Sequence, residues 1–310
     1  MIDLAKRRLS QLCELLAESP NTSLSDNLRA FRFLVLVHAS VQSWGYVARP
    51  LRSLHLAFPQ TGIWIVSVTI TACSVLALTR YSRWAPVIAL PALFARLCWS
   101  GLWTPNHTYL AFFCVTLTAV LDPEREDEGV LLQQSLRWMT FVVFFYTGLQ
   151  KLLHGYWFRG EFLAWMVSHG TDTWRSTFGW LLSAEELARM KTLGQTMRPD
   201  TGPYRIESVP FVLLSNFTWI AEMVLPLLLL LRRTRVASTI FAIAFVAMIQ
   251  LAPRESMFFL GFTNLLLLFL PGNWNLRLAP VIAFCYIYLI AALIFPEQLG
   301  NFAIKASGRI

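Results

Sequence analysis

The sequence predicts an all-α polytopic membrane bundle of about nine transmembrane helices, with amphipathic helices on the outer face. The 310 residues are 56% hydrophobic, which is more than a soluble domain covers with a polar surface. A helix needs about 20 mostly apolar residues to cross a bilayer core, and stretches of that kind recur along nearly the whole chain. Backbone groups in lipid must bond within their own segment, so these stretches are expected to be helical.

Nine apolar segments are the candidate spans. In chain order they are 30–47, 62–78, 84–103, 107–121, 131–153, 211–231, 236–251, 257–270 and 278–295. The fourth, seventh and eighth are shorter than a full crossing. These segments divide the chain into an N-terminal segment at 1–29, a transmembrane domain at 30–296 and a short tail at 297–310.

Basic residues set the expected orientation. The net charge is +8, but Lys and Arg stand in short runs between apolar segments, so they indicate membrane topology and no nucleic-acid partner. With the N-terminus in the cytoplasm and the C-terminus outside, most of these runs face inward. The inward ones are Lys6, Arg7, Arg8 and Arg29, then Arg80 with Arg83, Arg125, and Arg232, Arg233 and Arg235. Residues 1–18 read as a cytoplasmic amphipathic helix on the membrane surface.

The connection at 155–209 is the one sizeable segment expected outside the bilayer. Trp157, Phe158, Phe162, Trp165 and Met166 predict an apolar helical face. Ser183 followed by Glu186 predicts a helix cap that opens a helix over 184–197. Short helices over the outer face of the bundle follow from these patterns.

Lys151 stands one turn before the end of an apolar helix, within a segment that continues to Trp157 and Gly160. Burial disfavours the ammonium form of lysine and can leave a free amine that acts as a base. On this segment alone, the ordinary interpretation is a lysine that extends to the lipid headgroups.

Asn106, His107 and Tyr109 stand at the start of the fourth segment. A histidine at such a place is most often an interfacial residue that caps a helix. With the orientation above, His107 and Lys151 emerge on the same outer face, so we expect the two titratable groups to share one pocket.

These two motifs resemble the transmembrane family of vitamin K-dependent gamma-carboxylase and its bacterial relatives, called HTTM (horizontally transferred transmembrane) proteins. Asn106-His107-Thr-Tyr109-Leu is similar to the family's Asn-His-Ser-Tyr-Leu. Gly-Leu-Gln-Lys151-Leu, with Trp157 and Gly160, is similar to its Gly-x-x-Lys-Leu, Trp and Gly sequence. The likeness covers roughly residues 28–295.

The resemblance implies a membrane enzyme of the bacterial cytoplasmic (inner) membrane, with Lys151 as general base and His107 and Asn106 in the same site. It implies a lipid quinol as cofactor, vitamin K hydroquinone or menaquinol, near Tyr109, Trp157 and Gly160. That quinol would drive carboxylation, or a related modification, of an unknown peptide or small molecule. Val246 stands where the carboxylase has a histidine. The chain ends soon after the last span, so we expect no lumenal domain of the kind that binds the carboxylase's substrate propeptide.

Three further ionisable residues lie inside apolar segments, and charges there are costly. We expect Glu222 to form an ion pair with Arg96 or Arg32. Two alternatives to the enzyme remain open: a non-catalytic membrane factor for maturation or export of a secreted peptide, and a small-molecule transporter that uses Glu222, Arg96 and Arg32. The five cysteines form no Cys-x-x-Cys pair, so no metal is expected.

Overall fold

Helices account for all the regular structure in the described part of the chain. The computed structural model describes residues 22–48, 60–100, 106–169, 172–196, 204, 206–250 and 256–294. Within them the elements are α-helices and two short 3₁₀ turns, which confirms the predicted all-α class. The predicted surface helix at 1–18 and the tail at 297–310 lie outside the described residues.

Twelve α-helices are present in these ranges. They are α1 (Thr22–Ala48), α2 (Gln60–Leu76), α3 (Trp84–Ser100), α4 (Asn106–Val120), α5 (Glu126–His154), α6 (Glu161–His169), α7 (Asp172–Phe178), α8 (Ala184–Thr196), α9 (Val209–Leu230), α10 (Arg235–Gln250), α11 (Ser256–Leu266) and α12 (Trp274–Ile294). The 3₁₀ turns are Gly179–Leu181 and Leu267–Phe269.

Each of the nine predicted apolar segments corresponds to one helix, namely α1 to α5 and α9 to α12. Of the helices in the described ranges, two are both long and apolar enough to cross a membrane: Val209–Leu230 and, within α12, Trp274–Ala291. Helices α2, α3, α4 and α10 are apolar but have 17 residues or fewer. At about 1.5 Å per residue they fall short of the roughly 30 Å hydrocarbon core.

The chain divides into two compact units. Unit 1 comprises residues up to Trp138 together with those from Glu255 onward, and unit 2 comprises Met139–Arg254. In unit 1, α1 packs against α2, α4, α11 and α12. Helix α1 is therefore the central element of that unit, and Leu34 and Leu36 on it are fully buried.

Short helices form a small core of their own in unit 2. The sequence predicts an apolar helical face that includes Trp157, Phe162 and Trp165. The buried residues of α6 are the smaller Leu163, Ala164, Val167 and Ser168, because small side chains allow close approach of α8. The aromatic rings are only partly buried and pack around this cluster.

The predicted capping box at the start of α8 is confirmed. The Glu186 backbone N–H donates to Ser183 Oγ at 3.1 Å, and the Ser183 N–H donates to the Glu186 carboxylate at 3.2 Å. The same carboxylate also accepts the backbone N–H groups of Glu207, at 2.7 Å, and Ser208. Glu186 thus joins the start of α8 to the segment that leads into α9.

Replacing Glu186 with Ala is expected to loosen α8, because the backbone N–H groups of Ser183, Glu207 and Ser208 lose their acceptor. We expect the opening free energy of α8 to fall by about 1–2 kcal/mol, measured by amide hydrogen exchange with mass spectrometry. Glu185→Ala, at the exposed neighbour, is the control and should leave exchange unchanged.

The same contact predicts a pH dependence. Partial burial raises the pKa of Glu186, but the N–H groups of Glu207, Ser183 and Ser208 outweigh it, so the pKa lies below its usual value. Because its pKa is lowered in the folded state, the ionised Glu186 side chain stabilises that state above the unfolded pKa of about 4.3. This stabilisation is lost as the pH falls through the folded pKa. Protection of α8 should therefore decline below about pH 4 in the wild type more than in Glu186→Gln. Equal decline in both would contradict this role.

Candidate functional site

Helices α5 and α9 approach closely at Gly148, one turn before Lys151. A Cβ atom at Gly148 would lie 2.8 Å from Met223 Cγ, 2.9 Å from the Trp219 carbonyl oxygen and 3.0 Å from Glu222 Cβ. Only glycine leaves room for this contact. The absence of a side chain here brings the Lys151 turn of α5 alongside the Glu222 turn of α9.

Lys151 and Glu222 form an ion pair at this helix crossing. Lys151 Nζ lies 2.5 Å from both carboxylate oxygens of Glu222. The side chains are 21% and 7% exposed, respectively. The lysine is therefore bound within unit 2, in contrast to the headgroup contact that its own segment suggested.

An aromatic ring covers the lysine. The Trp157 ring centroid lies 4.8 Å from Lys151 Nζ, which is within the range of a cation–π contact. Ser215 Oγ donates to the Trp157 carbonyl at 2.7 Å, and Asn216 Nδ2 donates to the Phe158 carbonyl at 3.0 Å. Helix α9 thus supplies both the carboxylate and the side chains that fix the loop over it.

One more aromatic contact and one glycine shape the loop at 155–160, which joins α5 to α6. Phe158 packs edge-to-face on Trp219, with ring centroids 5.3 Å apart. Gly160 has a φ of +71°, a backbone conformation that residues with a Cβ atom rarely adopt. A Cβ there would also lie 3.3 Å from the Phe211 ring. These backbone requirements account for glycine at the position that the family resemblance assigned to the cofactor.

The other predicted motif lies in unit 1. Asn106 is the first residue of α4, His107 follows it and is half-buried, and Tyr109 is 38% exposed. His107 lines a cavity together with His38 and Asn264. Because His107 and Lys151 belong to different units, their sharing of one pocket stays a prediction.

The partner predicted for Glu222 was wrong. Glu222 binds Lys151, whereas Arg96 and Arg32 bond to other groups within unit 1. Arg96 donates to the Ala39 carbonyl at 3.0 Å and to Ser43 Oγ at 2.7 Å. Arg32 donates to Ser82 Oγ at 2.9 Å. Residue spacing along the chain could not select among these cations, since the choice depends on how the helices pack.

The structure therefore brings together Lys151, Glu222 and Trp157. Sequence reasoning missed Trp219 and Asn216, whose roles as a ring contact and loop anchor left no pattern in the sequence. It also missed His38, a buried histidine inside an apolar segment, although an ionisable residue at such a place is itself a signal. Val246, at the position of the carboxylase histidine, is 1% exposed.

The arrangement is suited to proton transfer. An amine and a carboxylate in direct contact can pass one proton between them, from Nζ to the carboxylate, leaving neutral amine and acid. Desolvation penalises the charged pair, so this transfer costs less here than in water. Among the described residues, no cluster of three or more His, Cys, Asp or Glu side chains is arranged to hold a metal ion.

Substituting Gly148 with Ala is expected to destabilise the protein, because the new Cβ would overlap Met223, Trp219 and Glu222. Alanine in a helix interior normally adds about 1 kcal/mol over glycine, so a lowered melting temperature in detergent would report the clash. Gly45→Ala, where nothing lies within 4 Å of the new Cβ, is the matched control and should raise it or leave it unchanged. A stabilised Gly148→Ala would contradict the close helix crossing.

Removing one member of the ion pair is expected to cost more than removing both. Lys151→Met leaves a buried carboxylate unpaired, and Glu222→Met leaves a buried ammonium. Each single change should lower the free energy of unfolding by about 2–3 kcal/mol, while the double change should lie within about 1 kcal/mol of wild type. The free energy of unfolding is measured in mixed detergent micelles for wild type, the two single variants and the double variant. Additive losses would show that the two side chains act independently.

Comparisons with protein-family models, with curated proteins and with solved structures find no match to this chain.

Proposed function

We propose that the chain is a multi-pass integral membrane protein. Helix α9 presents exposed apolar side chains at successive three- and four-residue steps: Leu213, Phe217, Ile220, Val224 and Leu227, each at least 41% exposed. Such a stripe along one face requires an apolar surrounding, and lipid supplies it. The proposal comprises about nine spans, N-terminus inside and C-terminus outside, in the inner membrane of a bacterium.

Within this membrane setting, the function is that of an enzyme related to vitamin K-dependent gamma-carboxylase, with Lys151 as general base. The observation that carries the proposal is the Lys151–Glu222 pair beneath Trp157. When Glu222 holds the shared proton, Nζ has a free electron pair. That amine can then take a proton from a hydroxyl group bound beside it.

The substrate proposed for Lys151 is a lipid quinol. The Nζ atom accepts a hydroxyl proton, and the Trp157 ring centroid lies 4.8 Å from it. Phe162 stacks on Trp157, with ring centroids 4.7 Å apart, so two aromatic rings adjoin the amine. When bound, the quinol supplies with oxygen the strong base that carboxylation or a related modification requires. The chain's own part is to position the hydroxyl group and receive its proton at Nζ, while Glu222 keeps the proton that it took from Nζ beforehand.

Oxygen uptake by the purified protein in lipid nanodiscs tests this function. We expect uptake that depends on vitamin K hydroquinone or menaquinol and forms an oxygenated product detectable by chromatography. Lys151→Met should lower the rate at least 100-fold, the usual contribution of a general base. Glu222→Gln should also lower the rate of oxygen uptake, because the amide cannot take the proton from Lys151 Nζ.

Lys191→Met is the matched control, because Lys191 is an exposed lysine on α8, and it should retain the full rate. Equal rates for Lys151→Met and wild type, or no quinol-dependent uptake by wild type, would contradict the enzyme function.

The maturation factor predicts a peptide-processing phenotype that survives Lys151→Met. The transporter predicts tracer flux into proteoliposomes that Glu222→Gln abolishes.

A further inference from the structure

His38 and His107, both in unit 1, line a cavity that has the size of one water molecule. Its volume is about 20 Å³, counted as the space that the centre of a water molecule can occupy. A buried water needs about 10–15 Å³ on that measure and is held by about three polar groups. The lining is mainly apolar and comes from α1, α4 and α11, and its polar side chains are His38, His107 and Asn264. The hydrogen bonding of these three side chains therefore decides whether the cavity holds a water.

The imidazole ring of His38 is held in one position. Its side chain is 3% exposed, and Nδ1 lies 2.8 Å from the hydroxyl oxygen of Tyr286 on α12. Gly261 on α11 lies against the ring, because a Cβ at that position would come within 2.8 Å of His38 Cε1. Contacts from α11 and α12 therefore fix the orientation of the imidazole.

Tyr286 also determines which ring nitrogen of His38 carries the hydrogen. Tyr286 is completely buried, and in the described part of the chain His38 Nδ1 is the one acceptor within reach of its hydroxyl. A buried hydroxyl proton without an acceptor is costly, so Tyr286 donates to Nδ1. In the neutral imidazole Nε2 then carries the hydrogen. This donor has no partner of its own among the described residues and is not sealed from the cavity.

Asn264 presents a second donor to the cavity. Asn275 Nδ2 lies 2.7 Å from the Asn264 backbone carbonyl oxygen and 2.6 Å from Asn264 Oδ1. Because the carbonyl only accepts, the atom of Asn275 that meets it is the amide nitrogen, and the side-chain atom of Asn264 that this nitrogen also meets is the oxygen. The NH₂ group of Asn264 is therefore the part of the amide that remains for the cavity, and it is not sealed from it.

The two donors orient a water molecule placed between them. The hydrogens on His38 Nε2 and Asn264 Nδ2 occupy both lone pairs of the water oxygen, so the water is left to donate its own hydrogens. His107 is the remaining polar side chain of the lining, and its ring nitrogen on the cavity side accepts one of them. In the neutral imidazole the opposite nitrogen of His107 then carries the hydrogen.

We infer that this cavity binds one water molecule, which links His38 to His107 and fixes the tautomer of His107. The chain of hydrogen bonds runs from the Tyr286 hydroxyl to His38, from His38 to the water and from the water to His107. Tyr286 and His38 are positioning residues, because they set the hydrogen of His107 through the water. The inference concerns unit 1 alone and holds whether or not Lys151 in unit 2 acts as a base.

Magic-angle-spinning nitrogen NMR of the protein in lipid bilayers tests the inference, with isotope-labelled histidine as the probe. The chain has five histidines, and loss of a signal in His38→Gln or His107→Gln assigns the two rings. We expect His38 to carry its hydrogen on Nε2 in at least about fivefold excess over the other tautomer, which would leave the Tyr286 hydroxyl unpaired. Magnetisation that starts on water should reach this nitrogen, although the side chain is 3% exposed. No transfer from water, or a hydrogen mainly on Nδ1, would overturn the inference in the wild type alone.

A variant that fills the cavity locates the water. Ala111 lines the cavity, and the two methyl groups that Ala111→Val adds take up the space of the water. The transfer of magnetisation from water to His38 Nε2 should therefore be lost in this variant. Transfer that persists in Ala111→Val would place the water outside the cavity and overturn the inference.

Removal of the tyrosine hydroxyl tests the chain of hydrogen bonds. In Tyr286→Phe either nitrogen of His38 can carry the hydrogen, so the water is no longer confined to donating toward His107. Both tautomers of each ring should then be populated within about fivefold of each other. Tyr288→Phe, at an exposed position on the same helix, is the matched control and should leave both rings unchanged. A His107 ring that is mixed in wild type, or that keeps a single tautomer in Tyr286→Phe, would overturn the positioning role.

Discussion

The ion pair between Lys151 and Glu222 is the contact on which the organisation of unit 2 depends. Each charge sits on an apolar helix, where it would be costly alone, and the two neutralise each other across the crossing of α5 and α9. The crossing in turn requires glycine at position 148. The loop that carries Trp157 is fixed to α9 by Ser215 and Asn216, so the carboxylate and the position of the aromatic cover both depend on α9.

The two units pair their buried polar groups through different interactions. Unit 2 relies on a charged pair, whereas the cavity of unit 1 relies on a neutral hydrogen bond between His38 and Tyr286. A charged pair can exchange a proton within itself, which suits acid–base chemistry.

Local patterns in the sequence predicted local structure well. The nine apolar segments correspond to helices, and the Ser183–Glu186 capping box forms as its spacing predicts. The sequence did not predict which residues pair when they lie far apart along the chain. Glu222 selects Lys151, 71 residues away, because a glycine permits that crossing, and no periodic pattern encodes such a match. Likewise, the hydrogen bond between His38 and Tyr286 joins residues 248 positions apart, so no local pattern predicts this pairing.

The pairing of Lys151 with Glu222 is tested most directly by the chemical reactivity of the lysine amine. Isotope-coded acetylation of the native protein in nanodiscs, followed by mass spectrometry, compares Lys151 with the exposed Lys191. The ion pair predicts that Lys151 reacts much more slowly than Lys191 and that Glu222→Gln accelerates it. A Lys151 that reacts as fast as Lys191, with no response to Glu222→Gln, would show a side chain directed to the membrane surface and would contradict the account.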